Sequence, residues 1–131
     1  MKGYVANIEE ETLANENFRT VLYTDERVQL VVMSIVGGGD IGEEVHTLDQ
    51  FIRIEEGEGK SVLDGEEHVL RAGSAVIIPS GVRHNIINTS PHDALKLYTL
   101  YAPPNHKPGT IHKTKAEAEA SEEHFEGKIS E

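Results

Sequence analysis

Short runs of β-branched and aromatic residues, each closed by a glycine- or polar-residue turn, constrain this chain more than any other feature. Phe18 to Tyr23 and Gln29 to Val36 are two such runs, split by Asp25, Glu26 and Arg27. A triglycine, Gly37 to Gly39, with Asp40 and Gly42 leads into an extended segment from Glu43 to Ile54. Lys60 to Leu63 and Glu66 to Leu70 flank Asp64-Gly65, the residue pair favoured in a type I′ hairpin. Ala75 to Ile78, His84 to Asn88 and Ala94 to Tyr101 follow, separated by Pro79-Ser80-Gly81 and by Ser90-Pro91. Strands at this spacing, with no helical period between them, predict an all-β barrel or sandwich and exclude a parallel α/β sheet.

Only the two ends read differently. Asn7 to Asn17 is acidic and predicts a short helix over Glu9 to Asn15. After Pro104, Asn105 to Ile111 reads as a loop, and Lys115 to Phe125 as a helix with a thin apolar stripe. Thr114 followed by Glu117 is a capping-box pattern for its start. The expected division is 1–27 for an N-terminal segment with an edge strand, 28–102 for the barrel, and 103–131 for a C-terminal loop and helix.

At 131 residues the chain suffices for one core without covalent staples. It has no cysteine, so a metal site must be built from nitrogen and oxygen donors, and thiol chemistry is excluded. A net charge of −11 without a basic stripe argues against nucleic acid and anionic membranes as partners. Met1 to Asn7 runs straight into Glu9, Glu10 and Glu11 with no apolar stretch of signal-peptide length, so a cytoplasmic location is expected.

One stretch has a fixed spacing. Gly73, Pro79, Gly81, His84 and Asn88 follow the pattern G-x5-P-x-G-x2-H-x3-N. In physical terms Pro79 and Gly81 make a tight turn, and His84 projects from the start of the strand beyond it. This resembles the second sequence motif of the cupin superfamily, over about Phe18 to Pro104. The resemblance implies a double-stranded β-helix, or jelly-roll barrel, here with a short C-terminal helix. The first cupin motif, G-x5-H-x-H-x3-4-E-x6-G, is matched in spacing but altered in chemistry. Aligned on Gly57, its glutamate falls on Gln50, its second histidine on His46, its first histidine on Glu44 and its leading glycine on Gly38.

The resemblance therefore implies one divalent metal ion held by Glu44, His46, Gln50 and His84. Three histidines with one carboxylate carry the same formal charge as this set. All four groups can ligate, at about 2.0 to 2.2 Å for zinc. Glu44, His46 and Gln50 share strand parity, whereas Glu43 and Asp49 have the opposite one. A bend at Thr47-Leu48 would break that rule and bring in Asp49. An isolated barrel histidine is ordinarily a hydrogen-bonded core residue, and the shared spacing is what separates His46 and His84 from that reading. Zinc, iron, manganese, nickel and cobalt all suit such donors, so the metal is not specified.

Among cupins the chain looks most similar to the small mannose-6-phosphate-isomerase-like group. Phosphomannose isomerases hold zinc with the same residue types in a different order. The resemblance implies isomerase-like or dioxygenase-like chemistry on a small sugar or acid. The alternative is a non-enzymatic, metal-dependent small-molecule binder or sensor. Glu44 is the only carboxylate placed firmly inside, and as a ligand it is poorly free to act as a base. His68 and His92 read as surface residues, and His106, His112 and His124 as part of a solvated tail, unless the loop Pro103 to His112 folds over the barrel mouth. Arg53 reads as outward-facing by parity. A homodimer through the strand Phe18 to Tyr23 is the expected assembly.

Overall fold

The computed structural model describes residues 2–121, 124, 125, 127, 129 and 130. Helix α1 (Ile8–Ala14) is capped by the Asn7 side chain, which accepts a hydrogen bond from the Glu10 amide. The strands are β1 (Arg19–Thr24), β2 (Gln29–Ile35), β3 (Asp49–Glu56), β4 (Glu58–Leu63), β5 (Glu66–Arg71), β6 (Ala75–Ile78), β7 (His84–Asn88), β8 (Leu95–Ala102) and β9 (Ile111–His112). Helix α2 (Lys115–Ala120) follows.

Six strands form one sheet in the order β6-β3-β8-β2-β1-β9, and three form a second in the order β5-β4-β7. Their inner faces enclose a core that includes Met33, Ile35, Ile52, Ile54, Ile86 and Leu97. Burying these apolar side chains is the main favourable contribution to the fold, roughly 1.5–3 kcal/mol each against exposure. The elements follow the turn chemistry. Asp64 (φ 48°) and Gly65 (φ 82°) both have positive φ, as the hairpin between β4 and β5 requires. Gly57 has φ +99°, and a Cβ there would lie 2.6 Å from the Ala94 carbonyl oxygen, so both its conformation and its close approach to the chain before β8 need glycine.

The segment expected to be extended from Glu43 to Ile54 is regular only from Asp49 onward. Before it, the chain touches β7 through two isolated bridges, Asp40 with Ile87 and Glu44 with His84. It thereby continues the smaller sheet over the barrel mouth.

Strand β1 was expected at a sheet edge, yet β9 pairs outside it, Arg19 opposite His112 and Thr20 opposite Ile111. The tail is also attached elsewhere. The buried Gln29 side chain accepts from the amides of Asn105 and His106 and donates to the His106 carbonyl at 2.7 Å. Lys115 forms an ion pair with Asp40. Ala118 packs against the core. Ser130 exchanges two hydrogen bonds with the Thr24 backbone. Thr114 accepts from the Glu117 amide as expected, but the Glu117 carboxylate accepts from Lys113 rather than from the cap residue itself. The α2 helix ends at Ala120, short of the expected Phe125, and residues 122 and 123 lie outside those described.

Candidate functional site

Backbone pairing places the key side chains. Glu44 and His84 exchange both hydrogen bonds, at 2.8 and 2.9 Å, so their side chains leave the same face of the smaller sheet. The Gly81 amide donates to the His46 carbonyl at 2.8 Å, tying His46 to the Pro79–Gly81 turn. Gly81 has φ +89°, which gives the turn its sharpness. From the other sheet, Gln50 on β3 lies opposite Tyr101 on β8.

Glu44, His46 and His84 are brought together, with ligand-type atoms all within 4.8 Å of one another. His46 Nε2 lies 2.6 Å from Glu44 Oε2, and the His46 and His84 ring centroids are 5.1 Å apart. His84 Nδ1 is 2.9 Å from the Val82 carbonyl oxygen. A carbonyl only accepts, so this nitrogen carries a proton, and in the neutral ring Nε2 is then the atom with the lone pair. Burial pushes the Glu44 carboxyl up, but the His46 hydrogen bond and the charges of His46, Arg19 and His84 outweigh it and leave the group below its ordinary value. These three residues form a group that could hold a metal ion. Gln50 is 5% exposed; its Nε2 donates to Thr99 Oγ1 at 3.0 Å, and its Oε1 is buried without a hydrogen-bond partner.

The reserve residue Asp49 faces outward and accepts from the Ser80 amide at 2.9 Å, and Glu43 pairs with Arg83 on the surface. Parity thus survives the bend at Thr47-Leu48. Arg53 is exposed and pairs with Glu55, and His68 and His92 are exposed.

The tail corrects the sequence reading. His106 and His112 are buried, not solvated, and line a cavity of about 290 Å³ together with Arg19, Glu44, His46 and Lys115. The reason is the set of tail attachments described above, in which Gln29 and β1 are remote in sequence from the residues they hold. His106 stacks edge-on to Tyr101 with centroids 5.2 Å apart. Burial pushes the His106 imidazole down to about 2, with Arg19 adding to the effect. The buried Tyr101 phenol is pushed up to about 12 by desolvation, against the charge of Arg19. Arg19 itself was not singled out from sequence. The available signal was its parity with Val21, an inward residue of the same strand.

This double sheet, with acidic and histidine side chains converging at one end, defines a small jelly-roll barrel. Residues 31–101 match the family model described as a cupin domain, and the chain belongs to the cupin family. It is 45% identical over 130 residues to the uncharacterized protein YrkC of Bacillus subtilis, covering 93% of this chain and 69% of that one. The uncharacterized protein L612 of Acanthamoeba polyphaga mimivirus is 46% identical over 112 residues, 82% of this chain and 70% of its own. The crystal structure of BH2720 from Bacillus halodurans superposes with a TM-score of 0.88 at 43% identity, covering 92% of this chain and 96% of that one. No helix among the described residues is long and apolar enough to cross a membrane.

Proposed function

We propose that the protein is a metal-dependent cupin acting on a small molecule, with one divalent ion held by Glu44, His46, Gln50 and His84. The observation that carries this reading is the Gln50 amide oxygen. A buried acceptor without a partner is costly, and a cation held by Glu44, His46 and His84 would be such a partner, Gln50 lying opposite Tyr101, whose ring packs against His46. The fixed tautomer of His84 fits the same role, because its remaining nitrogen is the donor atom. The donor set of two imidazoles, one carboxylate and one amide oxygen suits zinc, iron, manganese, cobalt or nickel.

Bound there, the ion would supply Lewis-acid polarisation of a substrate oxygen or, as iron, open positions for substrate and dioxygen. The chain's own contribution is the cavity lined by Arg19, Glu44, His46 and the C-terminal segment. An isomerase-like route also needs a proton acceptor that is not a ligand. Glu44 is committed to the ion in this reading, and neither His106, held down to about 2, nor Tyr101, held up to about 12, titrates near neutrality. His112 and Glu119 line the same cavity, so the lining leaves the isomerase-like and oxygen-dependent routes both open, beside the second reading, a metal-dependent binding protein.

Elemental analysis of protein purified without an affinity tag tests the metal. About one equivalent is expected in the wild type and far less in His84→Ala; a metal-free wild type that also fails to take up added zinc, iron or manganese sinks the reading. Oxygen consumption with small organic acids then tests the oxygen-dependent route.

A further inference from the structure

Arg19 extends from β1 to the lining of the cavity and is 7% exposed. Its Nη1 lies 3.2 Å from His112 Nδ1, its guanidinium carbon 5.3 Å from the Phe18 ring centroid, and its Nε has no hydrogen-bond partner. Among the described residues no carboxylate forms an ion pair with it. Glu44 feels its charge but pairs with His46. The other cation on the lining, Lys115, is already held by Asp40 and Glu119.

A buried guanidinium without a counterion is unfavourable. In a chain of net charge −11, an arginine on the cavity lining that no carboxylate among the described residues pairs with points to an anionic occupant. We propose that Arg19 recognises the carboxylate of a small organic acid, whose adjacent hydroxyl or oxo oxygen reaches the centre formed by Glu44, His46, Gln50 and His84. This names the substrate class for the metal reading above and rests on it. A neutral sugar would leave the guanidinium uncompensated. One planar guanidinium balances the single charge of a carboxylate, whereas a phosphate dianion would need a second cation, and the other one on the lining, Lys115, is already paired with Asp40. The cavity, about 290 Å³, lies at the lower end for ligand pockets and suits an acid of a few carbon atoms.

The test follows the Arg19 Nε–H resonance of the ¹⁵N-labelled full chain during titration with pyruvate, lactate and acetate. Hydroxyacetone serves as a neutral counterpart of pyruvate, and inorganic phosphate as a competing anion. Each titration is run on chelator-stripped and on zinc-loaded protein. A saturable shift of that resonance by pyruvate or lactate, tighter with zinc than without, is expected. The Arg19→Met variant, checked for a dispersed amide spectrum and followed, like the wild type in parallel, through the backbone amides of Phe18, Glu44 and His46, should bind these acids at least about tenfold more weakly, because a charge-assisted bidentate contact is lost. Its response to hydroxyacetone should be unchanged.

Absence of a saturable shift with all three acids in both forms overturns the proposal on the wild type alone, whether or not the variant folds. Phosphate binding as tight as pyruvate, or undiminished acid binding in Arg19→Met, overturns it as well. If the wild type takes up no zinc, the metal reading fails by itself, and the stripped-protein titration still decides the role of Arg19.

Discussion

Two residues of the same sequence pattern do different work. His84 presents a free nitrogen to the site, while Asn88, four positions on, is a structural hub. Its Nδ2 shares two protons among the carbonyls of Ile35, Val36 and Asp93 at 2.8 to 3.1 Å, and its Oδ1 accepts from the Ser90 amide at 2.9 Å. Asn88→Ala would remove the side-chain donor to the Ile35 and Asp93 carbonyls, while Val36 keeps the Gly39 amide, so a loss of about 2 kcal/mol in urea unfolding is expected, with the midpoint rather than the slope moving. A loss below about 1 kcal/mol would show that water takes its place. The fixed pattern made His84 and Asn88 legible in sequence, and strand parity correctly separated Glu44, His46 and Gln50 from Glu43 and Asp49. Arg19 had only its parity with Val21 to mark it, which any inward core position shares, and its burial depends on a pairing with β9 more than ninety residues away.

The strands themselves were read closely, β6 and β7 to the residue, since proline and glycine turns bound them on both sides. Where the sequence failed was the cap, whose contacts are long-range and polar. Loop 105–112 lies over the mouth because Gln29 binds its backbone, and α2 stays down largely through Lys115 and Asp40. The hydrogen bond from Lys115, then that from Asn85, holds the Asp40 carboxyl below the usual carboxylate range, and Asp40 in turn raises Lys115. The lowered Asp40 value means that its contribution is present above the ordinary carboxylate range and lost as pH falls through the folded value. The raised Lys115 value makes its contribution present below the ordinary lysine range and lost as pH rises through the folded one. Both partners are partly exposed, which keeps the ion pair within about 1 kcal/mol. Asp40→Asn should therefore speed hydrogen exchange of the α2 amides by about two- to fivefold near neutral pH. An unchanged rate would assign the attachment to Ala118 and Ser130 instead.

For the molecule as a whole, acid stability and ligand linkage follow from what is buried. His106 stays neutral when folded but binds a proton near its ordinary value of 6.5 when unfolded, so the unfolded state holds more protons below that pH. Stability should fall as pH drops from 6.5, by up to about 1.4 kcal/mol per pH unit from this residue, and His106→Leu should flatten that decline in urea titrations between pH 6.5 and 4. A decline of the same slope in the variant would assign it to other groups. Adding zinc to stripped protein should raise the melting temperature, by the equivalent of about 4 kcal/mol when the ion is a thousandfold above its dissociation constant, and should do so far less in His84→Ala. The attachment of the tail to β1 and β2 also orders events in time. A ribosome delivers Glu44, His46, Gln50 and His84 before it delivers the residues of β9 and α2 that cover them. The covering segment is thus the last part of the fold that synthesis can complete, and every residue it covers is made before it.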